Sequence, residues 1–292
     1  MVETSKIINV AISFILTNLD GSITADEVAS HCHISGSYFN KLFKDETGES
    51  VYAYIKKKKL EFSAFMIKSQ STESITDIAS SYGYSSSNYS SAFKDYFQKS
   101  PAEFRSDHFG KNKELFNESN SAVREIYDEM CKLITVCTLP DYPVIYERYI
   151  GSYDSMKKSW KAFTSKYEPF TTSKTVFYER TYDDPTIADE NKCLYDICMS
   201  IESLPKDFEA EAAKYLPGQA SLPNFGTIIG GKFAVCHFKG YISEINDFHH
   251  KLMSIWFPLS GNLIDFRYSF DRYYCVDCES YYMEFDICIP IK

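Results

Sequence analysis

The chain has 292 residues, 44% hydrophobic and 16% aromatic, which is enough apolar material for two or three domain cores. It has no run of about 18 apolar residues, so we predict no membrane span. The amphipathic start lacks a small-residue cleavage site, so we predict no signal peptide. Nine cysteines without a compact framework fit a reducing cytoplasm, where we expect the protein. The net charge of −9 disfavours nucleic-acid binding unless the basic residues share one face.

Helical periodicity dominates the first seventy residues. Apolar residues recur on one side of a helix that begins at Ile7 and ends at Leu19. Thr24 and Glu27 have the spacing of a capping box, and Gly48 is a typical helix terminator. The predicted helices are 7–19, 25–31, 36–46 and 51–67.

One stretch of this region occurs twice. Residues 27–55 align without a gap to residues 77–105, fifty positions later. Each copy has a short helix, a turn and a second helix with buried aromatic residues four apart, such as Tyr89 and Phe93. Gly83 supplies the positive φ that a tight turn between helices requires. The pattern predicts two helix-turn-helix motifs, whose second helices enter DNA major grooves. The alternative is an ordinary helical domain with aromatic core stripes.

The paired motifs, Gly48, the Ile-Ala to Tyr-Gly-Tyr run at 78–84 and Ser100-Pro101 resemble the DNA-binding domain of the AraC/XylS family of bacterial transcription activators. The resemblance covers about residues 5–107 and implies base-reading positions in both recognition helices. Serine makes no bidentate contact with guanine, so we expect Asn40 and Lys41 to read sequence and the second helix to position the protein. Alternatively, the serines form a solvated helix start. The predicted DNA contacts are Ser37, Asn40, Lys41, Lys44, Ser86, Ser87, Ser90, Ser91 and Lys94, with the lysines at 56–59 adding backbone contacts.

We assign residues 1–107 to this first, helical domain, which we call the head. A polar stretch follows it. We predict a linker over 108–140 that contains a short helix at 122–133, and a new pattern starts near Ile134. The second domain is assigned to 141–292.

The second domain also repeats, with an offset of 89 residues. Residues 144–169 align with 233–258, and TVFYERTYD at 175–183 aligns with IDFRYSFDR at 264–272. One residue of slip then sets Tyr195 to Cys198 against Phe285 to Cys288. Each copy reads as strand, Gly turn, helix, strand, strand. Two β-α-β-β copies predict an α+β domain with a pseudo-twofold axis, helices on one face and a seam between the copies.

Several short sequence segments of this domain resemble the gyrase-inhibitor-like effector domain, in the family's order and approximate spacing. They include Tyr-Asp-Asp-Pro at 182–185, Cys-Leu-Tyr-Asp-Ile at 193–197 and the closing Asp-Ile-Cys-Ile-Pro-Ile at 286–291. The resemblance implies a domain that binds small compounds, often aromatic or cationic ones. Behind an AraC-type head, such a domain implies a ligand-responsive or multidrug-sensing activator.

A cation site needs aromatic faces and a carboxylate. Asp271 stands where the family commonly has a glutamate, although Arg272 could neutralise it, and strand alternation could turn Glu284 inward. The alternatives are plain core packing for the aromatic residues and paired surface charges for the acids. The predicted ligand-binding residues are Trp160, Tyr178, Trp256, Phe266, Asp271, Tyr273, Tyr274, Tyr282 and Glu284.

Cys275 and Cys278 form a CxxC without a second pair nearby, so we expect strand cysteines and no metal site. No catalytic set or phosphate loop stands out, so we predict neither an enzyme nor a cofactor. We expect a cytoplasmic regulator, more an activator than a repressor, with promoter DNA, a small effector and RNA polymerase as partners. The alternative is a sequestering or hydrolytic protein whose head binds DNA weakly. A protein-binding module is a third hypothesis.

Overall fold

The computed structural model describes residues 2–3, 5–19, 21–69, 73–111, 121–202, 223–265, 267–277 and 280–292. It divides into two compact units. The helical unit comprises residues 4–127 with 253–266, and the sheet unit comprises residues 1–3, 128–252 and 267–292. No helix among the described residues has the length and apolar character needed to cross a membrane.

The helical unit contains both predicted motifs. Its first seven helices are α1 (Lys6–Thr17), α2 (Ala25–His31), α3 (Gly36–Thr47), α4 (Val51–Ser69), α5 (Ile75–Ser81), α6 (Ser86–Phe97) and α7 (Pro101–Lys111), and a short helix lies at Phe257–Ser260. The first motif consists of α2 and α3, and the second consists of α5 and α6. Helix α4 lies between them in the chain.

The caps of these helices follow from the sequence. Thr24 and Glu27 form the expected capping box at α2, and Ser74 accepts a hydrogen bond from the backbone N–H of Asp77 at α5. Gly48 and Gly83 adopt φ values of 81° and 77°, where a side chain would be strained. The two predicted inter-element turns therefore have the glycines that their backbone requires.

Matching aromatic residues fill the core of both motifs. Phe39 and Phe43 in α3 and Tyr89 and Phe93 in α6 have no exposed surface. Within each pair the ring centroids are 5.6 Å and 5.4 Å apart, the separation of favourable aromatic contacts. The Tyr89 hydroxyl donates to Ser63 of α4 at 2.8 Å, so the second motif is tied to the central helix. The two motifs therefore share the same arrangement of core side chains.

The stretch predicted as a linker contains regular structure. Helix α8 (Ser121–Leu133) confirms the short helix, and strand β2 (Ile134–Leu139) follows it directly and joins the sheet. The sheet therefore begins at Ile134, where the sequence indicated a new pattern, within the segment assigned to the linker. An edge strand is hard to recognise because part of it faces solvent, and Val136 of β2 is 45% exposed.

The sheet unit is α+β, as predicted. Its other elements are β1 (Val2–Glu3), β3 (Tyr142–Gly151), α9 (Met156–Tyr167), β4 (Phe177–Thr181), β5 (Cys193–Ser200), β6 (Asn224–Ile228), β7 (Gly231–Tyr241), α10 (Ile245–Lys251), β8 (Phe270–Asp277) and β9 (Tyr282–Pro290). The strand order is β1-β3-β5-β4-β8-β9-β7-β2, and β6 pairs with β3. The two copies are β3-α9-β4-β5 and β7-α10-β8-β9, which confirms the predicted repeat.

The two copies exchange a strand. β2 precedes the first copy but pairs with β7 of the second, and β6 precedes the second copy but pairs with β3 of the first. The registers correspond, because Thr138 faces Lys232 and Thr227 faces Pro143. This reciprocal pairing extends the pseudo-twofold symmetry beyond the predicted repeat.

The register corrects one part of the sequence alignment. Tyr178 faces Cys198 in the first copy, and Phe270 faces Cys288 in the second. Phe270, and not Arg267, is therefore the counterpart of Tyr178. By the same relation Glu179 of β4 is the counterpart of Asp271 of β8, and the two face each other where the copies meet.

Candidate functional site

The two recognition helices present different chemistry to solvent. In α3 the side chains of Ser37, Lys41 and Lys44 are exposed, while Asn40 is half-buried and donates from Nδ2 to the Gly36 carbonyl at 2.9 Å. In α6 all of the predicted contacts are exposed, namely Ser86, Ser87, Ser90, Ser91 and Lys94. The basic and amide groups of the first helix have only hydroxyl counterparts in the second, except where Lys94 matches Lys44.

The sequence reasoning missed two exposed residues on these helices. Tyr38 is 57% exposed near the start of α3, and Asn88 occupies the matching place in α6. An asparagine can form two hydrogen bonds with adenine in the major groove. The sequence did contain a signal for both residues, because neither position belongs to the periodic apolar stripe of its helix.

The lysine run at 56–59 does not present four free charges. Lys58 and Lys59 are buried, and Lys58 pairs with Glu61 at 3.1 Å. The Lys59 ammonium donates to the backbone carbonyls of Gly21 and Tyr82, the latter at 3.0 Å. The sequence prediction was wrong for these two residues because α4 is surrounded by other helices on most sides.

In the sheet unit, four side chains from both copies meet at the centre of the sheet. They are Trp160, Glu179, Asp271 and Tyr273, and we call them the dyad site. Trp160 of α9 donates from Nε1 to the Glu179 carboxylate at 2.6 Å. The Tyr273 hydroxyl is 3.5 Å from the same oxygen, and its ring meets that of Trp160 edge-on at 5.1 Å. Glu179 is buried, and Asp271 is half-buried.

The carboxylates of the dyad site favour their protonated forms. Burial raises the pKa of Glu179 to about 7, although hydrogen bonds from Trp160 and Tyr273 act in the opposite direction. Burial and the neighbouring Glu179 raise the pKa of Asp271 well above its ordinary value. Among the described residues, no basic side chain pairs with either acid. An ionised Glu179 or Asp271 therefore has no basic side chain among the described residues to balance its negative charge.

The other predicted ligand residues lie elsewhere. Tyr178 is on the opposite face of β4 from Glu179, buried against Tyr142 and Phe270. Tyr282 packs its ring against Tyr241 at 5.6 Å. Trp256 is buried against Phe257 in the helical unit. Phe266 lies outside the described residues.

Glu284 does not face the dyad site. Its carboxylate pairs with Lys239 at 3.0 Å and lies 3.5 Å from His237, on the face of the sheet opposite Phe285 and Tyr273. Strand alternation had left its direction open, and the register of β9 decides it. The sequence reasoning missed Glu179 because the alignment set Tyr178 against Arg267.

Behind the dyad site, the opposite face of the sheet carries two related polar networks. We call Arg148, Arg180, Tyr182 and Asp196 the buried tetrad. The Asp196 carboxylate accepts hydrogen bonds from Arg148 at 2.7 and 2.8 Å, from Arg180 at 2.7 Å and from the Tyr182 hydroxyl at 2.6 Å. Burial alone would raise the pKa of Asp196, but the charges of Arg148 and Arg180 outweigh it and hold that pKa below its ordinary value.

The second copy repeats this arrangement nearer to solvent. We call His237, Arg272, Tyr274 and Asp286 the exposed tetrad. The Asp286 carboxylate accepts from Tyr274 at 2.6 Å and Arg272 at 2.5 Å, and His237 Nδ1 lies 2.9 Å away. Arg272 therefore neutralises Asp286 and not Asp271, which resolves the expectation drawn from the sequence.

Comparison with known proteins agrees with this architecture. The profile of the GyrI-like small molecule binding domain matches residues 132–292, more than half of the chain. The chain belongs to the GyrI-like small molecule binding domain family. A helix-turn-helix domain profile matches residues 28–107 of this GyrI-like protein. Together they confirm the resemblance to AraC-type proteins with a C-terminal GyrI-like domain.

Two curated relatives resemble the head. The Msm operon regulatory protein of Streptococcus mutans is 31% identical over 106 residues, 36% of this chain and 38% of the relative. The right origin-binding protein of Escherichia coli K12 is 34% identical over 89 residues, 30% of each chain. The GyrI-like protein thus spans about a third of the length of these relatives.

Solved structures resemble one part of the chain or the other. The EcmrR C-terminal domain is 14% identical and covers 55% of this chain and 96% of its own, with a TM-score of 0.42. The xylose-binding transcription activator xylR is 32% identical over 36% of this chain and 28% of its own, with a TM-score of 0.34.

Proposed function

We infer that this GyrI-like protein is a transcription regulator. Its helical unit binds an asymmetric promoter element, and its sheet unit binds a small effector at the dyad site. The observation that carries the effector role is a pair of carboxylates, Glu179 and Asp271, that lie beside aromatic rings without a basic partner among the described residues.

The DNA role rests on the exposed polar faces of α3 and α6. Lys41 and Lys44 of α3 are exposed cations, and Ser37 and Asn40 flank them. Two motifs in one chain can occupy successive major-groove segments without a second copy. We expect α3 to read bases and the serines of α6 mainly to contact the backbone, because hydroxyl groups make no bidentate base contact, while Asn88 is an exposed amide of α6 that can read adenine.

The effector role rests on charge and ring geometry. The edge-on rings of Trp160 and Tyr273 border Glu179, and cation–π attraction adds to charge pairing where water is scarce. An effector bound there changes transcription if it favours one state of the head or its contacts with RNA polymerase. Activation is our expectation for the output.

Hydrolysis is a second candidate function. The Tyr273 hydroxyl lies 3.5 Å from Glu179, whose pKa is about 7. A carboxyl group that titrates near neutral pH is suited to general acid–base catalysis. The relatives are named as regulatory and origin-binding proteins, so regulation is our first proposal and hydrolysis the second.

Fluorescence anisotropy with the protein's own upstream DNA tests the first proposal. The titration covers a salt series, with unrelated DNA of equal length as control and with a panel of hydrophobic cations. We expect selective binding that weakens steeply with salt, and a change in affinity with at least one cation. Binding no tighter than to unrelated DNA, even at low salt, contradicts the regulator role. Turnover of an added ester or strained-ring substrate that Glu179→Gln abolishes would favour hydrolysis.

A further inference from the structure

The two acids of the dyad site are symmetry partners. Glu179 and Asp271 face each other directly in the antiparallel pair of β4 and β8, which is where the two copies meet. Directly opposed residues of such a pair project to the same face, with Cβ atoms about 5 Å apart. One ligand group placed between them can therefore reach both carboxylates.

The surroundings supply hydrogen-bond donors to one acid only. Trp160 from α9 and Tyr273 from β8 both donate toward Glu179. Among the residues that the structure describes, none donates a hydrogen bond to Asp271. Phe285 of β9 stacks on Tyr273 at 5.1 Å and adds no polar group. The acceptor capacity of the pair is thus largely unused.

Among the described residues, the titratable groups that interact with the pair include the phenols Tyr153 and Tyr273 and, from the second copy, the Cys288 thiol, whose pKa burial raises. Tyr153 precedes α9 and donates to the Asp183 carbonyl at 2.7 Å, and burial raises its pKa. Burial and the two nearby acids raise the pKa of Tyr273 well above its ordinary value, so both phenols stay neutral. Two facing carboxyl groups in this setting share one proton near neutral pH, because a second charge would be repelled.

We propose that the dyad site selects a cation with at least two N–H donors, an aryl-bearing primary ammonium or an amidinium, whose N–H groups bridge Glu179 and Asp271. A quaternary ammonium carries the same charge but has no N–H group for the unused acceptors. Binding displaces the shared proton to solvent, so the ammonium replaces it and the site becomes a doubly ionised pair around one cation. This inference rests on the proposed effector role of the same site.

Calorimetric titration with two matched probes tests the proposal. The probes are 2-naphthylmethylammonium and its N,N,N-trimethyl analogue, measured at pH 6 and pH 8 in buffers of different ionisation enthalpy. We expect the primary ammonium to bind at least about tenfold more tightly, and binding to release a proton at pH 6. We also expect its affinity to rise from pH 6 to pH 8.

Variants separate the inference from the effector proposal. Glu179→Gln and Asp271→Asn should each bring the affinity ratio of the two probes close to one, while Glu284→Gln, on the opposite face, should leave it unchanged. A quaternary probe that binds as tightly as the primary one, with both weakened by Glu179→Gln, overturns the N–H selection but keeps the cation site. Affinities that neither acid variant changes, or no binding of either probe, contradict the effector role of the dyad site as well.

Discussion

The buried and exposed tetrads occupy equivalent places in the two copies of the sheet unit. In each, one aspartate accepts from an arginine on the neighbouring strand and from a tyrosine hydroxyl. The first copy adds Arg148, which is 1% exposed, where the second has His237, whose side chain is 41% exposed. Both aspartates are buried, so the hydrogen-bond pattern is preserved and the difference lies in the basic partners. A buried charge left without its partner costs far more than one that reaches solvent.

The two motifs of the helical unit also share their packing and differ in their polar residues. Phe39 and Phe43 have the counterparts Tyr89 and Phe93, so the packing residues of the two motifs correspond. The solvent-facing residues differ, with Asn40 and Lys41 in α3 and serines in α6. In both units the copies share a core and differ in their polar residues.

The largest expected effect separates the two tetrads. Asp196→Asn leaves Arg148 and Arg180 without their counter-charge, and we expect it to lower the free energy of unfolding by about 3–5 kcal/mol. The matched change Asp286→Asn should cost about 1 kcal/mol, because its partners reach solvent. Urea unfolding followed by circular dichroism measures both. Equal losses would contradict the contrast between the networks.

A second prediction concerns the pH dependence of stability. The pKa of Glu179 is raised to about 7, so the folded state holds a proton that the unfolded state has already lost above its ordinary pKa. The wild type should therefore lose stability as pH rises through this window, and Glu179→Gln should lose less, because only the contribution of Asp271 remains. The stability of the variant relative to wild type should increase by about 2–3 kcal/mol between pH 5 and pH 8. A difference that stays constant with pH would show that Glu179 is not a buried acid with a raised pKa.

Much of this comparison was predictable from the sequence, and some was not. The aromatic spacing and Gly48 predicted the helices of the head, because periodicity and caps are local signals. The pairing of Glu179 with Asp271 was missed, because the β4 and β8 segments align by apolar character in more than one register. The direction of Glu284 and the burial of Lys58 and Lys59 depend on neighbours that are distant in sequence. Such long-range contacts leave no local pattern.

A third prediction tests whether Lys59 supports the head and not its DNA contacts. Lys59→Met leaves the carbonyls of Gly21 and Tyr82 without their donor. We expect a loss of about 2 kcal/mol in the free energy of unfolding, because buried polar groups without partners are costly. The exposed Lys56→Met should change stability by less than about 0.5 kcal/mol. In DNA affinity, measured below the unfolding temperature, Lys56→Met should show the larger loss and Lys59→Met the smaller one. A loss of stability in Lys56→Met alone would contradict the structural role of Lys59.

The smallest expected effect compares the two recognition helices. Asn40→Ala with Lys41→Ala should weaken binding to the upstream DNA by about tenfold, because α3 loses base-reading groups worth about 1–3 kcal/mol. The matched pair Ser90→Ala with Ser91→Ala should change affinity by less than about threefold, because hydroxyl groups contribute mainly backbone contacts. Anisotropy on specific and scrambled DNA measures both. A larger loss of affinity in the serine variant than in the Asn40 and Lys41 variant would indicate that α6, and not α3, reads the sequence.

The central claim is that a cation at the dyad site controls the head. The most direct test is the affinity of the full chain for its upstream DNA, in wild type and in Glu179→Gln, with and without 2-naphthylmethylammonium at a concentration that saturates the wild type and leaves the variant largely unbound. We predict a change of at least about threefold in the wild type and none in the variant, since a ligand shifts an equilibrium only by its differential affinity for the two states. No change in the wild type, or the same change in both proteins, would contradict the claim.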